Sequence, residues 1–197
     1  MLVGVLALQG AFREHVAAFR NLGCECLEVR TPQDVASVAA LVIPGGESTT
    51  IGKLLLDYRL LEPLLEQVRA GMPVYGTCAG AIVLAREIAG SDQPRLGVMD
   101  MRVRRNAYGR QVDSFETSLA IPCLGEEPFA AVFIRAPLIE SVGPEVEVLA
   151  RYGDGVVLAR QGHLLAGTFH PELTGDLRLH RYFLNMIADN IADNVPV

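Results

Sequence analysis

The sequence predicts an α/β fold, a mostly parallel central sheet covered by helices with antiparallel strands added, on three observations. Short apolar runs alternate with amphipathic stretches through the first half, the pattern of buried parallel strands joined by helices. Two of the runs end in small-residue turns, Pro44-Gly45-Gly46 and Gly76-Thr77-Cys78-Ala79-Gly80, before helix-forming segments. The second half changes to closely spaced β-like runs and closes on a helical stripe. With 197 residues, 50% of them apolar, and no repeat, low-complexity segment or Pro/Ser/Gly-rich linker, the chain is expected to form one domain over 1–197.

In order, Leu2 to Leu8 is a near-continuous apolar strand, and Phe12, Val16, Phe19 and Leu22 form a helical stripe that Gly23 terminates. Cys26 to Val29 and Ala40 to Ile43 supply two more strands. Leu54-Leu55-Leu56 and Leu60 to Val68 are helical, with Gly71 as the stop; Pro73 to Tyr75 is a strand, and the apolar segment Ile82 to Ala85 is helix-forming. Met99–Val103, Phe115–Ile121, Ala131–Ile134, Val146–Ala150, Val156–Ala159 and Leu164–Thr168 are expected to extend the central sheet. Leu179, Phe183, Met186 and Ile187 share one face of a last helix. An open sheet of this kind places its ligand site at the carboxyl edge of the strands.

Seventeen basic against 23 acidic side chains give a net charge of -6, so no global attraction to nucleic acid or anionic membrane is available. No apolar run reaches the roughly 20 residues of a spanning helix, and the first residues lack the basic flank of a signal peptide, so a cytoplasmic protein is expected. A reducing compartment disfavours disulfides among the four cysteines. Cys24 and Cys26 are expected to be buried or half-buried strand residues and Cys123 inert. Of the four histidines, His15 is expected to be exposed or partner-facing, His180 solvated, and His163 a turn residue between two strands. No grouping has zinc-ligand spacing, so no metal is expected.

Cys78 and His170 stand apart. Gly76-Thr77-Cys78-Ala79-Gly80 between a strand and a helix has the form of a nucleophile elbow, in which small flanking residues let the chain turn sharply and present the thiol. A helix N-terminus there favours thiolate, and the Ala79 amide is a candidate oxyanion donor. A Gly-flanked buried Cys at a tight junction is the plain alternative. His170 closes a strand in Thr168-Phe169-His170-Pro171-Glu172, so one imidazole nitrogen is free to face a thiol while Glu172 accepts from the other. A strand-end His paired locally with Glu is its alternative. In Pro44-Gly45-Gly46-Glu47-Ser48-Thr49-Thr50 the glycines expose amides; an oxyanion loop with Gly46 N–H as donor suits a Cys hydrolase better than a phosphate loop, whose spacing is missing. A plain helix-capping turn stays open.

These residues resemble the triad-type (class I) glutamine amidotransferases, and within them the glutaminase subunits of pyridoxal 5′-phosphate synthases. Leu8-Gln9-Gly10-Ala11 with Arg13-Glu14-His15, the Pro44–Thr50 segment, the Cys78 elbow, Arg105-Asn106 with Gly109-Arg110-Gln111-Val112-Asp113-Ser114-Phe115, Phe133-Ile134-Arg135-Ala136-Pro137 and Phe169-His170-Pro171-Glu172 carry the resemblance nearly end to end. It implies a flavodoxin-like three-layer sandwich and hydrolysis of glutamine to glutamate and ammonia. Cys78 would be the nucleophile, His170 the base and Glu172 its orienter, with Gly46 and Ala79 at the oxyanion and Gln9 beside that loop. Gly46, Glu47, Ser48, Arg105, Ile134 and Arg135 would hold the substrate. No cofactor is implied. The implied partner is a (β/α)8-barrel synthase subunit, in a dodecameric core with glutaminase subunits docked outside, on a face including the Gln9-Gly10 loop and the first helix. Because a Gly-Gly peptide reorients at low cost, the isolated subunit is expected to be poorly active until docking completes the oxyanion loop. The competing readings are a glutaminase for another pathway, a Cys-dependent hydrolase or deglycase on the same fold, and a non-catalytic metabolite-binding module.

Overall fold

In a computed structural model, residues 1–107 and 114–193 are described. The first half alternates β1 (Leu2–Leu6), α1 (Phe12–Asn21), β2 (Glu25–Val29), α2 (Pro32–Ser37), β3 (Ala40–Ile43), α3 (Ser48–Asp57), α4 (Leu61–Arg69), β4 (Val74–Thr77) and α5 (Ala79–Leu84). There follow β5 (Ala85–Ile88), β6 (Met99–Arg104), β7 (Ser114–Leu119), β8 (Phe129–Ile134), β9 (Leu138–Val142), β10 (Glu147–Tyr152), β11 (Gly155–Gln161), β12 (Leu164–Gly167) and α6 (Arg178–Asp193).

The main sheet runs β2-β1-β3-β4-β12-β11-β9-β6-β5, with β10 paired to β11. Its first five strands are parallel, and antiparallel pairs join β12 to β11, β11 to β9 and β9 to β6. Alternation along each strand sorts the core into two layers. Val3, Val5, Ala40 and Val42 face Val16 and Phe19 of α1 and Leu179, Phe183 and Ile187 of α6. Leu6, Leu41, Ile43 and Val74 face Val35, Ile51, Leu55, Leu64 and Val68 of α2, α3 and α4. The α/β class and mostly parallel sheet agree with the expectation.

Four local readings differ. α2 is not among the predicted elements, although Thr31-Pro32-Gln33-Asp34 carries both halves of a capping box, with Pro32 in the first turn. β5 begins at Ala85, where the backbone turns extended (φ -64, ψ 135); an apolar run such as Ile82–Ala85 suits a buried helix and a buried strand equally. β9 is likewise absent from the predicted elements. β7 and β8 do not extend the central sheet: among the described residues they pair with each other, as a separate hairpin. The Gly109–Asp113 part of the resembling segment lies outside the described residues.

Candidate active site

The site forms where β1, β3, β4 and β12 end together. After β4 the chain reverses into α5 through Cys78, whose φ of 48 and ψ of -102 lie where a non-glycine residue is strained. The flanking glycines permit this by contact: a Cβ at Gly80 falls 2.0 Å from the Ile43 carbonyl oxygen, and one at Gly76 falls 2.6 Å from the Gly80 backbone. The Cys78 N–H donates to Gly167 O at 2.8 Å, carrying the β4–β12 ladder one residue further. Its thiol is 6% exposed, covered more than an elbow alone suggests, and approaches Ile134 O at 3.9 Å.

His170 follows β12 and is tied to β8 by its backbone N–H, which donates to Val132 O at 2.8 Å. Its Nδ1–H donates to Glu172 Oε1 at 2.7 Å. Burial alone would lower the pKa of His170, but hydrogen bonds and negative charge from Cys78 and Glu172 outweigh it and raise the value to about 10. The thiol, imidazole and carboxylate are thus brought together from two separate strand ends.

The thiol and imidazole border a cavity of about 420 Å³ lined by Gln9, Gly46, Glu47, Ser48, Ala79, Arg105, Ile134 and Arg135 among others. Every predicted site residue lines it except Glu172, which stands behind His170. Gly10, at φ 103, lets the loop after β1 close on the loop after β3: a Cβ there would sit 1.8 Å from Gly45 O. That carbonyl accepts from Ala11 N–H at 2.9 Å, and Gln9 Oε1 accepts from Glu47 N–H at 2.7 Å. The capping reading holds as well, since Glu47 Oε2 accepts from Thr50 N–H at 2.7 Å at the start of α3. Arg105 is aimed by Gln93 Oε1 at 2.7 Å and Thr49 Oγ1 at 3.1 Å.

Residues 5–189 match the SNO glutamine amidotransferase family. The chain belongs to this family. Among its amidotransferase relatives, the pyridoxal 5′-phosphate synthase subunit PdxT of Pelotomaculum thermopropionicum is 66% identical over 184 residues, covering 93% of this chain and 94% of that one. PdxT of Moorella thermoacetica is 60% identical, covering 95% of this chain and all of its own. A crystal structure described as a glutamine amidotransferase superposes with a TM-score of 0.90 at 55% identity, covering 94% of this chain and 98% of that one. The PurLQS structure from Thermotoga maritima shares the fold at a TM-score of 0.70 and 12% identity, covering 93% of this chain and 97% of that one.

Two histidine expectations are corrected in this amidotransferase. His15 and His180 are neither exposed nor solvated; both have 0% exposure. His15 precedes Phe19 by four residues and His180 precedes Phe183 by three, so each lies on its helix's buried stripe, a signal that charged neighbours such as Arg13, Glu14 and Arg181 obscure. His163 is in the expected turn, with Nε2 at 3.0 Å from Val68 O. Cys24 and Cys26 are half-buried. Gln93 is not among the predicted site residues; in sequence it is only a polar loop residue. Among the described residues, no group of three or more His, Cys, Asp or Glu could hold a metal ion, and no helix is long and apolar enough to cross a membrane.

Proposed function

We propose that this chain is the glutaminase subunit of a pyridoxal 5′-phosphate synthase, hydrolysing glutamine to glutamate and ammonia and supplying the ammonia to a synthase subunit. Family membership and the names of its relatives support this above a stand-alone hydrolase or a binding module. The observation that carries it is one buried imidazole that donates to Glu172 and is raised in pKa by Cys78 and Glu172, beside an amino-acid-sized cavity that it borders together with the thiol.

In this reading Cys78 Sγ attacks the side-chain amide carbon of glutamine while the thiol's proton rests on His170. Negative charge on the amide oxygen is met by the N–H groups of Gly46 and Ala79, the latter in the first turn of α5, with Gln9 holding the loop. His170 Nε2–H gives its proton to the departing ammonia, leaving a γ-glutamyl thioester on Cys78. His170 next takes a proton from water, which attacks the thioester and releases glutamate. Glu172 keeps the imidazole oriented and supports its charge. The α-carboxylate and α-ammonium are held by Arg105, Arg135, Ile134 and the Gly46-Glu47-Ser48 segment, the guanidinium matching carboxylate geometry.

The partner is a (β/α)8-barrel synthase subunit in the cytoplasm, a dodecameric core with glutaminase subunits docked outside, and the chain acts as one amidotransferase domain over 1–197. Because Ala11 and Gln9 clamp the Gly45–Gly46–Glu47 backbone, a partner that shifts the Gln9–Ala11 loop resets the oxyanion amide; equal glutaminase rates with and without the synthase would discard that part. The main test is glutamate release with a synthase barrel present. Wild type should release glutamate and Cys78→Ala should not, while still forming the complex; undiminished release by the variant would overturn the nucleophile assignment.

A further inference from the structure

Behind the triad lies a buried set of polar side chains that the reaction above does not use. His15 on α1 and His180 on α6, 165 positions apart, meet at 3.0 Å between His15 Nδ1 and His180 Nε2. The other His15 nitrogen, Nε2, lies 3.0 Å from Thr77 Oγ1 and 3.4 Å from Glu172 Oε2. Both histidine side chains and the Glu172 carboxylate are shut off from solvent, so the placement of each proton carries a cost or a gain that water cannot level.

Only one placement serves every contact. Glu172 uses Oε1 to accept from His170, and an ionised carboxylate accepts only. Its Oε2 has no hydrogen bond of full geometry among the described residues, and His15 Nε2 faces it. A lone pair on that nitrogen would oppose the carboxylate in a dry interior, so Nε2 carries the hydrogen, directed at Thr77 Oγ1 and Glu172 Oε2. A neutral imidazole has one N–H, hence Nδ1 accepts, from His180 Nε2–H. His180 Nδ1 is then bare, in keeping with its lack of a partner among the described residues. The reverse placement strands a buried N–H on His180 and turns a lone pair toward Glu172.

Resting on the glutaminase reading, we propose that His15 is a positioning residue of the triad: its Nε2–H is the second donor to Glu172, and His180 locks the tautomer that makes it so. The titratable groups around it are His180 from α6, His170 and Glu172 after β12, and Tyr75 from β4, whose ring stands edge-on at 6.3 Å; Arg13 and Glu14 of α1 point to solvent. Burial first, then the charges of His180 and His170, keep His15 well below the usual histidine range and therefore neutral.

Two measurements test this. In the full wild-type chain, long-range ¹H–¹⁵N correlation should show His15 as the Nε2–H tautomer, unchanged between about pH 5 and 8, with its signals assigned by their loss in His15→Gln. An Nδ1–H tautomer or a titration in that range overturns the proposal whether or not the chain is a glutaminase. With the synthase present, folded His15→Leu should lose about 10- to 100-fold in kcat, as supporting-shell changes do, with KM unchanged. The acid limb of its pH profile should move from the wild-type position, a readout that lost packing alone would leave in place. His15→Gln, whose amide N–H reaches the Nε2 position, should recover much of the loss. Wild-type kcat and pH limb in His15→Leu, or no recovery in His15→Gln, would reduce His15 to packing. A wild type that releases no glutamate would instead sink the glutaminase reading and leave the tautomer result standing.

Discussion

Cys78, Asn106 and Arg135 all have positive φ without being glycine, and all three border the same cavity. Strain of this kind persists only where the surroundings over-determine it, and here it aims a thiol and frames an Arg-lined mouth. Arg105 is aimed by hydrogen bonds instead. Arg105→Ala should raise KM for glutamine by about ten- to a hundredfold, in line with ~1.5–3 kcal/mol for a hydrogen bond to a charged group. Gln93→Leu, which releases Arg105 together with the Ser48 and Thr49 hydroxyls, should do the same more weakly with kcat near wild type; a kcat loss at constant KM in either variant would assign them elsewhere. Cys78, His170 and Glu172 were legible in the sequence because a five-residue elbow and a His-Pro-Glu turn hold their chemistry locally. His15, His180, Thr77 and Gln93 were not, since what they do is set by neighbours 12 to 165 positions away.

The element that sets the site is the β4–α5 junction. Gly80→Ala drives a Cβ to 2.0 Å from a backbone oxygen of β3, and neither main chain can yield without moving the elbow. Destabilisation of at least about 1–3 kcal/mol, the usual cost of overpacking, should show in urea unfolding, together with lost glutaminase activity. Gly71→Ala meets open space at φ 97 and should cost only backbone strain, leaving activity intact. The parallel strands β1 to β4 were readable because buried parallel strands are near-continuous apolar runs. The β7–β8 hairpin was not, since its half-exposed alternation states that a strand exists but not which sheet it joins.

At the scale of the whole molecule, buried histidines give stability pH slopes of opposite sign. Burial lowers the pKa of His180 from 6.5 to about 4. The unfolded chain therefore binds a proton there between those values and the folded chain does not, so stability falls as pH drops through that window, by about 3 kcal/mol from this group. His170, raised to about 10, contributes fully below about pH 6.5 and loses its contribution as pH rises toward 10. Urea midpoints should thus decline on both sides of about pH 6.5, and a folded His180→Leu should make the acid side shallower, with buried His15 keeping the remainder; an unchanged acid slope would refute the buried neutral state of His180. The ends of β4 and β12, the loop after β3 and, through Glu172, the two distant helices α1 and α6 converge on the imidazole beside Cys78. The most direct test of that convergence is labelling of the synthase-bound chain with an electrophilic diazoketone analogue of glutamine, followed by peptide mass spectrometry. Stoichiometric modification of Cys78, blocked by glutamine, with exposed Cys123 unlabelled, is the predicted result; inactivation with the label on Cys123 and Cys78 untouched would contradict the account.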